Sequence, residues 1–319
     1  MMEYREQGRN NGEKGYGKDE TKMKKMLYAM LAMMLTLSVL PNTLEAAKRP
    51  LVSVFHNGVH FAESVYPYDG GFFFSNFGSD KIQPRPDENK GYIIYRKDGV
   101  NKTIVPANGT LHKPTGLLVK DEHLFVCDAT RLVVFDLRDL AKEPQIVAFA
   151  EDDDSLNALA VDGDTLYISV TNPGRIYTLD ISYPENMKNT KPKKWIDIVR
   201  PNGMAVNDGK LYVVTLPVNH NDKGSEYVVY VMDITDHPKA EVFVNVPGVY
   251  DGATFSDDGK TFYFSDWRTA SVTALDINTK ETRVIYEEEG MGPTDIAQSG
   301  GVLYIPDLPN SRIVALLLR

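Results

Sequence analysis

The sequence predicts an all-β fold, a six-bladed β-propeller with four antiparallel strands per blade, on three observations. A short anchor recurs six times, at Glu63, Thr115, Asn157, Asn202, Asp251 and Thr294, each followed by one aromatic position: Phe73, Phe125, Tyr167, Tyr212, Tyr263 and Tyr304. Five of the six intervals are ten residues, and the fifth repeat takes twelve because SDDGKT adds two in the turn. The anchors are spaced 52, 42, 45, 49 and 43 residues apart, which suits a radial array of four-stranded units rather than a helical solenoid. The last unit also stops one strand short, at Arg319, while Leu51 to Phe55 (LVSVF) has the pattern of the missing strand. That segment is expected to close the ring by pairing with the C-terminal blade, which leaves no open sheet edge there.

Each unit repeats the same parts in order. An apolar stretch follows the anchor (GLLV, NALAV, NGMAV, DGATF), then a turn with Asp or Gly, then a second strand (LFVCD, LYISV, LYVVT, FYFSD, LYIPD). A third strand follows (RLVVFDL, RIYTLDI, YVVYVMDI, SVTALDI, RIVALLL) and in most units a fourth (IVAFAE, WIDIV, EVFVN, RVIYEE). Short β-branched and aromatic runs broken by Gly, Asp, Asn and Pro are strand and turn chemistry.

Residues 1–46 stand outside this array, and the propeller is expected over residues 47–319. Lys24 and Lys25 precede an apolar run from Leu27 to Leu40, and small residues suited to cleavage follow near Ala46 and Ala47. A run of fourteen residues is too short to span a bilayer comfortably. The segment therefore reads as a secretory signal peptide behind a polar extension, with a retained anchor as the alternative, and the destination as periplasmic or secreted. Without residues 1–46 the chain holds 28 basic and 38 acidic side chains, a net charge of −10. With no Lys/Arg stripe, such a surface disfavours nucleic acid, and no stable membrane insertion is expected after cleavage. The single cysteine, Cys127, excludes an intramolecular disulfide and reads as buried filler.

In a propeller the innermost strand of each blade lines the central channel, so equivalent repeat positions converge on one axis. Glu63, Asn157, Asn202 and Asp251 would thus bring two carboxylates and two amides together. Oxygen ligands without Cys or His suit a hard cation and point to Ca²⁺, with Mg²⁺, Mn²⁺ and Zn²⁺ left open. A single Asn-Gly or Asp-Gly is ordinarily just a turn; four oxygen ligands at one phase are not accounted for that way.

At these residues the chain resembles the SMP-30/gluconolactonase family, six-bladed propellers that include calcium-dependent lactonases and, more distantly, phosphotriesterases of the diisopropylfluorophosphatase type. The resemblance rests most specifically on RPNGMAV and YDGATFSDDGKTFYFSD, and more loosely on AESVYP and SLNALAVDGD. It implies a divalent metal held by Glu63, Asn157, Asn202 and Asp251, a lactone or related ester as substrate, and Asp251 as general base or nucleophile beside its role as ligand. One departure concerns substrate. Sugar lactonases of the family carry an Arg two residues before the third-blade Asn, where this chain has Ser155; Arg200, two before Asn202, is a candidate replacement.

His60 and His112, each three residues before an anchor, and Tyr250 are further candidates for substrate contact, with loop hydrogen bonding and interblade core as the plainer roles. Tyr66 and Trp267 could add to an aromatic wall. Asp128, Asp266 and Asp307 recur after the second strand and read as turn caps. The long polar connections 75–91 and 217–227 are the expected specificity elements. The rival reading is a non-catalytic propeller of the NHL type, suggested by LYIPDLPNSRIVAL, that binds a carbohydrate or protein across one face. Fold alone does not separate the two.

Overall fold

The computed structural model describes residues 51–82, 89–217 and 228–318. The expected signal segment, residues 1–46, and parts of both long connections lie outside the described residues. Within the described residues the strands form six four-stranded sheets, each antiparallel throughout. Five blades run as simple meanders in chain order. Their inner strands are Ala62–Tyr68, Pro114–Lys120, Leu156–Asp162, Pro201–Asn207 and Tyr250–Phe255.

The sixth blade has the expected closure. Leu51–Phe55 pairs antiparallel with Arg312–Leu317, from Leu51 opposite Leu317 to Phe55 opposite Ile313. The outermost strand of the last blade thus comes from the start of the propeller, and both ends of the array share one sheet.

The recurring aromatics explain why the repeat is so regular. Phe73 of blade one packs with Leu117, Leu124 and Val126 of blade two. Phe125 packs with Leu156 and Ile168 of blade three, and Tyr167 with Met204 and Val213 of blade four. Tyr212 meets Phe255 and Phe262 of blade five, with ring centroids 5.0 and 5.6 Å apart. Tyr263 joins Leu303 and Ile305 of blade six, and Tyr304 returns to Phe72 of blade one at 4.6 Å. Every aromatic is a wedge driven into the following blade. Burying one aromatic side chain at each of six junctions supplies much of the apolar area that holds a ring of separate sheets together. The geometry of that wedge fixes the distance from anchor to aromatic.

Candidate metal centre

The anchors stand where the inner strands depart from regular pairing. In each of the first five blades the register between inner and second strand slips at the anchor: between Ala62 and Val65, Pro114 and Leu117, Leu156 and Leu159, Pro201 and Met204, and Tyr250 and Ala253. A bulge of this kind leaves the anchor and its successor without ladder partners and re-aims their side chains. In blade six the inner strand Ala297–Ser299 begins after Thr294, and the lead-in is tied instead by a parallel bridge from Asp295 to Ser64.

The groups freed by the bulge are satisfied in a repeating way. Backbone N–H groups of Ser64, Ala158 and Gly252 donate to the hydroxyls of Ser75, Ser169 and Ser265 on the neighbouring second strands, at 3.0, 2.9 and 2.7 Å. Ser265 in turn donates to the carbonyl of Thr294 at 2.9 Å, which links blade five to blade six. Thr115 and Thr171 make the corresponding links to Leu156 and Pro201.

Glycines after the anchors serve close approach rather than a turn. A Cβ on Gly203 would stand 2.4 Å from the carbonyl oxygen of Asp251, and one on Gly252 would stand 2.3 Å from the amide nitrogen of Ile296. Gly116 meets the carbonyl of Asn157 in the same way, at 2.3 Å. Neighbouring inner strands are therefore drawn together around the axis at the level of the anchors.

The aspartates expected as turn caps hold the approach to the anchors as well. Asp128 accepts from the backbone N–H groups of His112 and Lys113, Asp266 from Val249, and Asp307 from Gly292. Each carboxylate also caps its own turn, through Arg131, Arg268 and Arg312 respectively. Asn76 does the same for His60 in blade one.

At the anchors themselves, five buried side-chain oxygens have no hydrogen-bond partner: Glu63 Oε2, Asn157 Oδ1, Asn202 Oδ1, Asp251 Oδ1 and Thr294 Oγ1. Thr115 alone among the six anchors spends its oxygen on a structural bond. A buried polar atom without a partner is expensive. Five at equivalent positions of the repeat make a candidate cradle of oxygen acceptors, and that donor chemistry fits a hard divalent cation. Among the described residues no group of three or more His, Cys, Asp and Glu is arranged to hold a metal. The cradle is instead built from two carboxylates with amide and hydroxyl oxygens.

Electrostatics at the cradle point the same way. Burial pushes the Glu63 carboxyl well above its ordinary range, the charges of Asp251 and Asp295 push it further, and Lys113 opposes them. Asp251 is pushed up to about 7, first by burial and then by Asp295, against a hydrogen bond from Asn202. Asp295 is likewise raised to about 7 by burial, although the Ser64 hydroxyl donates to it at 2.6 Å. Carboxyl groups held this close without enough positive charge resist ionisation. A bound cation would relieve all three.

Other expected residues fall in different places. His112 and Arg200 line one cavity of about 420 Å³ together with Asn157 and Ser155. His60 lies at the matching place on blade one with its ring against Phe61. Tyr250 is 1% exposed, its ring edge-on to Phe264 and its hydroxyl donating to the carbonyl of Val246, so the structure places it in the interior of blade five. Tyr66 lines the opposite end of the channel and donates to Val119.

Two residues escaped the sequence reading. Lys113 joins Asn157 on the cavity wall with its ammonium 4.5 Å from the centre of the Phe77 ring. Asp295 follows an anchor at a position that holds Ser, Gly, Ala, Gly and Gly in the other blades. A carboxylate in that company was the available signal.

Comparison with known proteins agrees with this architecture. A gluconolactonase from Xanthomonas campestris superposes with a TM-score of 0.63 at 13% identity, over 86% of this chain and 93% of that one. A virginiamycin B lyase from Staphylococcus aureus gives 0.56 at 11% identity, over 85% and 100%, and a chain of a nidogen–laminin complex gives 0.58 at 16% identity, over 80% and 88%. At these identities the likeness is one of fold. No curated protein matches by sequence. The sequence pattern of one family matches residues 92–289, more than half of the chain and a stretch that includes Asn157, Asn202 and Asp251. The chain belongs to the SMP-30/gluconolactonase/LRE-like family.

Proposed function

We propose that the protein is a divalent-metal-dependent hydrolase of a lactone or related ester. The observation that carries this reading is the ring of partnerless buried oxygens on Glu63, Asn157, Asn202 and Asp251, joined by family membership. These four residues would hold the ion, with calcium favoured because every donor is a hard oxygen. When bound, such an ion supplies positive charge that polarises an acyl carbonyl and favours ionisation of water. Thr294 Oγ1 is a fifth buried oxygen without a partner at an anchor position.

The chain's own residues supply position and proton handling. Asn202 commits its amide nitrogen to the carbonyl of Tyr250 at 3.5 Å, which leaves Oδ1 for the ion. Asp251 is assigned a second role, accepting the proton of the attacking water. The cavity beside Asn157 receives the substrate, and its lining of His112, Ser155 and Arg200 orients it. Residues 1–46 are proposed as an export signal, which would place the enzyme in the periplasm or outside the cell. Among the described residues no helix is long and apolar enough to cross a membrane.

The test is proton release from a panel of aldonolactones, aryl esters and phosphotriesters, with calcium and with chelator. Turnover that needs the cation and falls about 100-fold or more in Asp251→Asn is expected. A protein that binds calcium yet turns over no member of the panel would instead be the binding propeller.

A further inference from the structure

We propose that the cavity beside Asn157 receives an anionic group of the substrate, a carboxylate or a phosphate monoester, on Arg200 and Lys113. This rests on the hydrolase reading and adds the charge class of what is hydrolysed. Asn157 belongs to blade three, while Lys113 leads into the inner strand of blade two and Arg200 into that of blade four, so the two cations flank the cradle within one concavity of about 420 Å³.

Arg200 is held as a donor with something left to give. Its backbone lies in the left-handed region at φ 39°, a conformation uncommon for a residue with a side chain. Its Nη1 donates to the carbonyl of Pro217 at 2.7 Å, which fixes the guanidinium, while its Nε is buried without a partner. Among the described residues the Arg200 guanidinium thus donates to a neutral carbonyl. A guanidinium fixed by one edge with an open N–H suits the planar or tetrahedral oxygens of a carboxylate or phosphate.

Lys113 is steered from below. Asp128 holds its backbone N–H at 2.7 Å, and Phe77 lies under its ammonium at 4.5 Å. Both cations are partly buried on the cavity wall. Desolvated positive charge of this kind is recovered when an anion arrives. Asp154 is the carboxylate on the same wall, where the Ser155 hydroxyl donates to it at 2.9 Å, and the charge of Glu63 acts on Lys113 from the cradle.

The experiment has a binding arm and a turnover arm. Methyl glucoside, its uronate and its phosphate, none of which can be hydrolysed as a lactone, are titrated calorimetrically into the wild type, Arg200→Gln, Arg200→Lys and Lys113→Met. The uronate or phosphate is expected to bind at least tenfold more tightly than the neutral glycoside, with about tenfold lost in Arg200→Gln and in Lys113→Met. Arg200→Lys, which keeps the charge, should retain part of the affinity, and unchanged unfolding midpoints separate lost binding from lost folding. Gluconolactone and its carboxylate and phosphate counterparts are then compared for KM. Charged probes that bind while no lactone is turned over would uphold the cation site and sink the hydrolase reading. Neutral lactone hydrolysed as well as charged, with KM unmoved in Arg200→Gln and Lys113→Met, would overturn the cation site and leave the hydrolase standing. Equal binding of all three glycosides also overturns it.

Discussion

The side-chain amide of Asn202 donates to the backbone carbonyl of Tyr250 across 3.5 Å. Tyr250 is the residue before Asp251, so one weak bond orients two cradle residues from adjacent blades at once. With the amide nitrogen engaged as a donor, Asn202 Oδ1 is left buried and partnerless.

Asn202→Asp exchanges that donor for a third carboxylate in the cradle. The Tyr250 carbonyl loses its partner and charge accumulates beside Glu63 and Asp251. In chelator the variant should lose about 1–3 kcal/mol of unfolding free energy, and added calcium should recover more of it than in the wild type. Urea unfolding under both conditions checks this; an equal response to calcium would argue that Asn202 is remote from the ion.

Gly252→Ala should be among the more damaging single changes in the protein. Its new Cβ would meet the Ile296 nitrogen at 2.3 Å and the Thr294 carbonyl at 2.4 Å, both of them backbone atoms that cannot swing aside. A loss of about 3 kcal/mol or more is expected from such overpacking. A urea midpoint equal to that of the wild type would mean that blades five and six are farther apart than the structure has them.

Ser265→Ala and Ser169→Ala offer a graded comparison. Ser265 accepts from Gly252 N–H and donates to the Thr294 carbonyl across the blade boundary. Ser169 serves Ala158 N–H and lies 3.4 Å from the Ala158 carbonyl, within its own blade. Both variants strand a buried N–H at a cost of about 1–3 kcal/mol. The loss should be larger for Ser265, measured by denaturant unfolding.

Lys113 gives a signed pH dependence. Burial lowers its proton affinity from the ordinary 10.5 to about 8, against the pull of Glu63. Between those values the unfolded chain binds more protons, so this residue's contribution to stability rises with pH. Its penalty is full below about 8 and fades towards 10.5. The stability difference between Lys113→Met and the wild type should therefore shift in favour of the wild type as pH is raised from 8 to about 10. A pH-independent difference would remove Lys113 from a desolvated site.

Much of this was legible in the sequence because the repeat is exact where packing demands it. The aromatic wedge fixes the ten-residue interval, and the interval fixes the phase of Glu63, Asn157, Asn202 and Asp251. The closing strand was legible because a blade with a missing fourth strand needs one. Bulges were not, since a register slip leaves no mark on residue type. Gly203 and Gly252 looked like turn glycines, yet the need for them comes from the next blade's backbone. Tyr250 looked like a ligand wall because it adjoins Asp251, but successive strand residues face opposite ways and its ring is core. Lys113 read as an ordinary loop cation, because its cavity is assembled from three blades.

The most direct measurement is thermal unfolding of residues 47–319, in chelator and then with added calcium, for the wild type, Glu63→Gln and Asp251→Asn. A site that binds only the folded state raises the midpoint with ion concentration, and a shift of about 5 °C or more is expected at saturating calcium. Both substitutions should weaken that shift. No shift with Ca²⁺, Mg²⁺, Mn²⁺ or Zn²⁺, and no metal retained through purification, would contradict the cradle as a metal centre and the hydrolase built on it.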